Sequence, residues 1–149
     1  RIKFILGKIT AYVDALRLGK TTVDDLTSYT QTAVEIEHIM PQTCADKELY
    51  GMNDEDFSVY INRLGNLTLL ENSINKSIHN DVYANKSKAY KQSKFYLTSS
   101  VSELVNQGHD TAINRTNSLL FAWSDWNKRS IEERQEMLYR LSEMIWEMS

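Results

Sequence analysis

The chain has 149 residues, 42% of them hydrophobic and 25% charged, which suffices for one domain with a real core. No run of about 18 apolar residues occurs, so no segment is built as a membrane-spanning helix. The single cysteine, Cys44, excludes an intrachain disulfide and a cysteine-paired zinc site, and a reducing cytoplasm is the expected compartment. The formal charge of −3 argues against a globally basic nucleic-acid binder, but the charge is uneven. Between Asn72 and Lys94 stand Lys76, Lys86, Lys88, Lys91 and Lys94 against Asp81 alone, the pattern of a phosphate-binding face or of a solvated lysine-rich helix. The opening Arg1-Ile2-Lys3-Phe4 lacks a starting methionine and a signal-peptide pattern, so the chain is read as a domain of something longer.

In chain order, Ile2, Ile5, Ile9, Tyr12, Val13 and Leu16 recur at helical spacing, and Gly19 supplies the stop. Residues 21–32 are polar and turn-rich, with a short helical turn expected over Val23–Leu26. Val34-Glu35-Ile36-Glu37-His38-Ile39 alternates as a short half-buried strand, ended by Pro41, the only proline. After an irregular stretch through Cys44 and Gly51, Asn53 caps an acidic helix start whose stripe is Phe57, Tyr60, Ile61 and Leu64. Leu67–Leu70 is a second strand. A helix begins at Asn72 or Ser73, runs past Asn75 and His79, and breaks near Asn80-Asp81. Further helices are expected over 82–94, 98–106 and 110–127, with a turn at 107–110; Ser130-Ile131-Glu132-Glu133 reads as a capping box opening a last helix striped by Ile131, Leu138, Leu141, Ile145 and Met148. The expected fold is mainly α with a small antiparallel β-hairpin.

The two strands and the helix after them carry the chemistry. Hydrolysis of a phosphodiester needs a base for water and a Lewis acid for the phosphate. His38 can accept a proton near neutral pH. Glu37 and Asn75 offer hard oxygen ligands, suited to Mg²⁺ or Mn²⁺ more than to Zn²⁺. Asn66 is placed to bond backbone and orient His38. His79, four residues after Asn75, would share its helix face as a further ligand or a phosphate contact. Lys76, Lys86, Lys88 and Lys91 are the candidate nucleic-acid contacts. One difficulty is internal: neighbours on a regular strand face opposite sides, so Glu37 and His38 reach one metal only if the strand bends. Cys44 has no assigned role, the tryptophans Trp123, Trp126 and Trp146 read as core, and Arg134 on the last stripe reads as a buried or snorkelling ion pair.

Glu37-His38-Ile39-Met40-Pro41-Gln42, then Leu64-Gly65-Asn66-Leu67-Thr68-Leu69-Leu70, then Asn75 and Lys86, resembles the C-terminal HNH nuclease domain of GmrSD-type, modification-dependent (type IV-like) restriction enzymes. Trp126, Ile131, Arg134 and Trp146 also fall where that family's closing helices carry a tryptophan, an apolar residue, an arginine and a second tryptophan. The resemblance implies a ββα-metal core over about 34–90, braced by helices over 1–20 and 98–149 in one domain. It implies His38 as general base, Asn66 as the central asparagine, Asn75 in the third, metal-binding place, and Glu37 where a metal-binding aspartate often stands. No structural zinc is expected. It further implies a DNA substrate in a phage-defence system of bacteria or archaea, and an N-terminal nucleotide-hydrolysing or DNA-sensing domain outside this chain.

The motif does not separate DNA from RNA. Two other readings use the same residues: a catalytically dormant module that binds DNA or a partner, with salt-sensitive affinity, and a helical interaction domain in which the motif is structural.

Overall fold

The computed structural model of the chain describes residues 1–23, 25–106, 108–109 and 111–147. The elements run α1 (Ile2–Arg17), α2 (Thr27–Thr30), β1 (Val34–His38), α3 (Asp54–Tyr60), β2 (Leu67–Glu71), α4 (Asn72–Asn75), α5 (Tyr83–Tyr90), α6 (Tyr96–Ser102), α7 (Thr111–Asn117) and α8 (Lys128–Glu147). Helices thus enclose one antiparallel strand pair, with His38 opposite Leu67, Glu37 opposite Thr68 and Val34 opposite Glu71. The pairing continues past the strand ends, from Ile39 N–H to the Asn66 carbonyl at 2.9 Å and from Asn72 N–H to the Ala33 carbonyl at 2.9 Å.

The pair is packed on both sides, β2 more fully than β1. Leu6, Ala11, Tyr29 and Phe95 pack with Val34, Leu67 and Leu69 in one cluster. Leu70 belongs to the other, with Ile9, Val13, Tyr90, Leu97, Ile131 and Leu138. This explains why Leu67 to Leu70 shows no alternation: every residue from 67 to 70 is buried, including Thr68, whose hydroxyl lies 2.6 Å from that of Thr98.

The long helix α8 fixes the entry to β2. The Gly65 amide donates to Gln135 Oε1 at 2.6 Å, and Arg134 Nη1 donates to the carbonyls of Gly65 at 3.1 Å and Leu67 at 2.6 Å. Gly65 itself sits against the helix backbone, since a Cβ there would lie 2.2 Å from the Ile131 carbonyl oxygen. Arg134 is fully buried, and its partners are main-chain carbonyls where the sequence led us to expect an ion pair. Burial pulls its pKa down to about 10.

Several boundaries depart from the sequence reading, each for a tertiary reason. Among the described residues the first helical turn after α1 is α2, which starts where Asp25 Oδ1 accepts from the Thr27 amide at 2.9 Å. An unforeseen 3₁₀ turn, Lys47–Tyr50, follows Asp46, whose side chain accepts from the Glu48 amide. α6 begins at Tyr96 because its amide finds Asp14 Oδ1, on α1, at 3.0 Å. The helix expected over 110–127 is α7 alone. Beyond it the backbone takes distant partners, Trp123 N–H to the Val101 carbonyl at 2.8 Å and Tyr83 Oη–H to the Trp123 carbonyl at 2.6 Å. Trp123 and Trp126 are still core, stacked edge to face at 5.5 Å, whereas Trp146 is 43% exposed. The capping box of α8 is Asn127 with Ser130, each amide donating to the other's side-chain oxygen, so Ser130 lies inside the helix. Met148 and parts of the turns expected at 23–26 and 107–110 lie outside the described residues. No helix among the described residues is long and apolar enough to cross a membrane.

Candidate active site

Asn66 is the hub of the motif. It is fully buried and every polar atom of its side chain is used: Oδ1 accepts from the Met40 amide at 2.7 Å and from Trp126 Nε1 at 3.0 Å, while Nδ2 donates to the carbonyls of Met40 at 3.1 Å and Ile61 at 2.9 Å. One amide thus ties the chain just after His38 to the chain just before β2.

β1 stays regular to its end, so Glu37 and His38 part company. The Glu37 carboxylate turns inward, 2% exposed, and its Oε2 accepts from Lys86 Nζ at 2.8 Å and Tyr90 Oη–H at 2.7 Å. Oε1 receives no hydrogen bond among the described residues. His38 is half-buried, and its Nε2 lies 3.0 Å from Asn62 Oδ1 in the turn after α3. The bend that would bring Glu37 and His38 onto one face does not occur, because the ladder runs unbroken through Thr68 and Leu67 to Asn66.

Lys86 is not a surface residue. Its side chain is fully enclosed, with Nζ donating to Glu37 and, at 2.8 Å, to the His38 carbonyl. Its expected phosphate contact is therefore corrected to an internal one: it pins the main chain of His38 and neutralises Glu37. Loss of hydration pulls the Lys86 pKa down and the adjacent carboxylate opposes this. Tyr90, on the same helix face four residues later, is pushed well above its usual value by burial and then by the same carboxylate. Lys76 and Lys88 are exposed, as is Lys91, which pairs with Glu103 at 3.3 Å.

Asn75 is 5% exposed at the end of α4, and its Nδ2 donates to Glu35 Oε2 at 2.7 Å. Its Oδ1 is buried with no hydrogen-bond partner among the described residues. A buried amide oxygen without a donor, beside a carboxylate, suits a hard divalent cation, which takes oxygen ligands. α4 stops at Asn75 and His79 stands exposed in the turns that follow, so the helix face the two were expected to share does not form. Glu35 was missed in the sequence, although alternation from Glu37 places it on the same strand face. Asn62 carried no sequence signal at all.

The site elements follow one another as β1, α3, β2 and the short α4, with the motifs at the ends of the two strands and in α4. The model of the family described as "GmrSD restriction endonucleases, C-terminal domain" matches residues 1–141. The chain belongs to that family. The match spans α1 to most of α8, so the bracing helices of this GmrSD C-terminal domain are part of the family pattern along with the strand pair. No curated protein and no solved structure matches.

Proposed function

We propose that this GmrSD C-terminal domain is a divalent-metal-dependent endonuclease of the HNH kind, acting on DNA within a phage-defence restriction system. Residues 34–90 would form its ββα core. The observation that carries the reading is the unpartnered Asn75 Oδ1, buried at the third motif position beside Glu35. With the Glu35 carboxylate it would hold Mg²⁺ or Mn²⁺, while Glu37, bound by Lys86 and Tyr90, braces the inner side of β1. Such an ion supplies positive charge to the phosphate and to the departing oxygen. His38 takes a proton from water as the water oxygen bonds to phosphorus. The bond from phosphorus to the leaving oxygen breaks, and that oxygen takes its proton from solvent. Asn66 and Lys86 hold the His38 backbone, and exposed Lys76, Lys88 and Lys91 meet the phosphate backbone without reading sequence. His79, being exposed, is assigned a phosphate contact. In the cytoplasm of a bacterium or archaeon, an N-terminal nucleotide-hydrolysing, DNA-sensing domain would direct the cut.

A plasmid-nicking assay with Mg²⁺, Mn²⁺ or EDTA, comparing the wild type with His38→Ala, tests this. Metal-dependent nicking that the substitution abolishes is the expected result. Equal cleavage by a folded His38→Ala protein would remove His38 from the chemistry. Salt-sensitive DNA binding with no nicking by the wild type would favour the dormant binding module.

A further inference from the structure

The contact between Asn62 and His38 belongs to no part of the motif, and it bears on how the base works. The amide oxygen faces the ring, Asn62 Oδ1 lying 3.0 Å from His38 Nε2, and an oxygen that only accepts pairs with the tautomer protonated on Nε2. In the neutral ring the lone pair then resides on Nδ1, which has no hydrogen-bond partner among the described residues.

Both ends of this contact are built in. Asn62 follows directly on Ile61, whose carbonyl is held by Asn66 Nδ2 at 2.9 Å, and Arg63 N–H closes the turn on the Tyr60 carbonyl at 3.1 Å. On the other side, the His38 carbonyl is held by Lys86 at 2.8 Å and the next amide by the Asn66 carbonyl at 2.9 Å. Buried groups thus fix two backbones whose side chains then meet near the surface. We infer that Asn62 is a positioning residue: it sets the tautomer and direction of the His38 ring, leaving Nδ1 as the atom that takes the proton from water.

In the reaction, the proton passes from water to Nδ1, and the Nε2–H that becomes more acidic stays bonded to Asn62 Oδ1. The inference rests on the proposed nuclease reading for its catalytic meaning, though the ring geometry is measurable without it. It predicts a division of labour between the two asparagines. Asn66 acts through main chain and stability, Asn62 through one ring nitrogen.

The test is long-range proton–nitrogen NMR of the His38 ring in the wild type, Asn62→Asp and Asn62→Leu, with nicking kinetics on the same proteins. Aspartate keeps an acceptor at the same place, while leucine has the shape and no acceptor. The expected spectra show Nε2 protonated and Nδ1 bare in the wild type and in Asn62→Asp. In Asn62→Leu the ring nitrogens move toward the mixed tautomers of a free side chain, and kcat falls roughly 10- to 100-fold with KM unchanged. A wild-type ring protonated on Nδ1, or an Asn62→Leu protein with wild-type shifts and kcat, would overturn the inference. A locked ring that Asn62→Leu releases, in a domain that never nicks DNA, would uphold the positioning and remove the nuclease reading alone.

Discussion

Replacing Lys86 by methionine separates two roles that a basic segment suggests equally. In the structure Lys86 Nζ makes two internal hydrogen bonds, to Glu37 Oε2 and to the His38 carbonyl, both at 2.8 Å. Methionine fills similar volume but leaves the Glu37 carboxylate with Tyr90 as its remaining partner. Removing one member of a buried pair costs about 3–5 kcal/mol, because the other charge stays desolvated. A domain of this size is stable by about 5–15 kcal/mol, and each kcal/mol moves Tm by roughly 2–4 °C. Lys86→Met should therefore lower Tm by roughly 6–20 °C, followed by tryptophan fluorescence, which reports on buried Trp123 and Trp126. Adding Glu37→Gln should recover part of the loss, since the stranded charge is gone. A phosphate contact would behave otherwise: Tm would hold within about 2 °C, and the slope of log affinity for DNA against log salt would fall by roughly 0.9. That second pattern would refute the internal role.

Three further outcomes follow from particular contacts. Gly65→Ala should cost at least about 3 kcal/mol in urea denaturation, because its Cβ would meet Ile131 and Gln135 backbone atoms at 2.2 and 2.8 Å; an unchanged midpoint would contradict the packing on α8. Burial pushes Tyr50 and Tyr83 up to about 12 and Tyr90 well above its usual value, so their contribution is full below pH 10 and drains away as pH rises through about 12. Tyr60 is raised too, by its hydrogen bond to Glu132, so absorbance titration should show four of the eight tyrosines ionising late, Tyr50, Tyr83 and Tyr90 together with loss of circular dichroism; a simple transition near pH 10 in a folded protein would contradict it. Asn75→Leu should raise the Mg²⁺ concentration for half-maximal nicking by about 10-fold or more, while stability in EDTA shifts by less than about 1 kcal/mol, the size of one partly exposed hydrogen bond. An unchanged metal requirement would remove Asn75 from the ion.

Local pattern was enough to find α1, β1, the start of α3, β2 and the core face of α8, because a helical or two-residue apolar period reflects burial against any partner. It was also enough to mark the family. What sequence could not reveal are matters settled between distant segments. Asp14 on α1 decides where α6 begins, and Val101 and Tyr83 draw the backbone around Trp123 out of a helix. Lys86 looks like its solvated neighbours in a basic run, yet points at Glu37, because helix phase against the core is invisible in a count of charges. Glu35, Asn62 and the unpartnered oxygen of Asn75 emerged for the same reason. A side chain's type limits what it can bond, but only the packed chain determines which partner stands within reach and which atom is left without one.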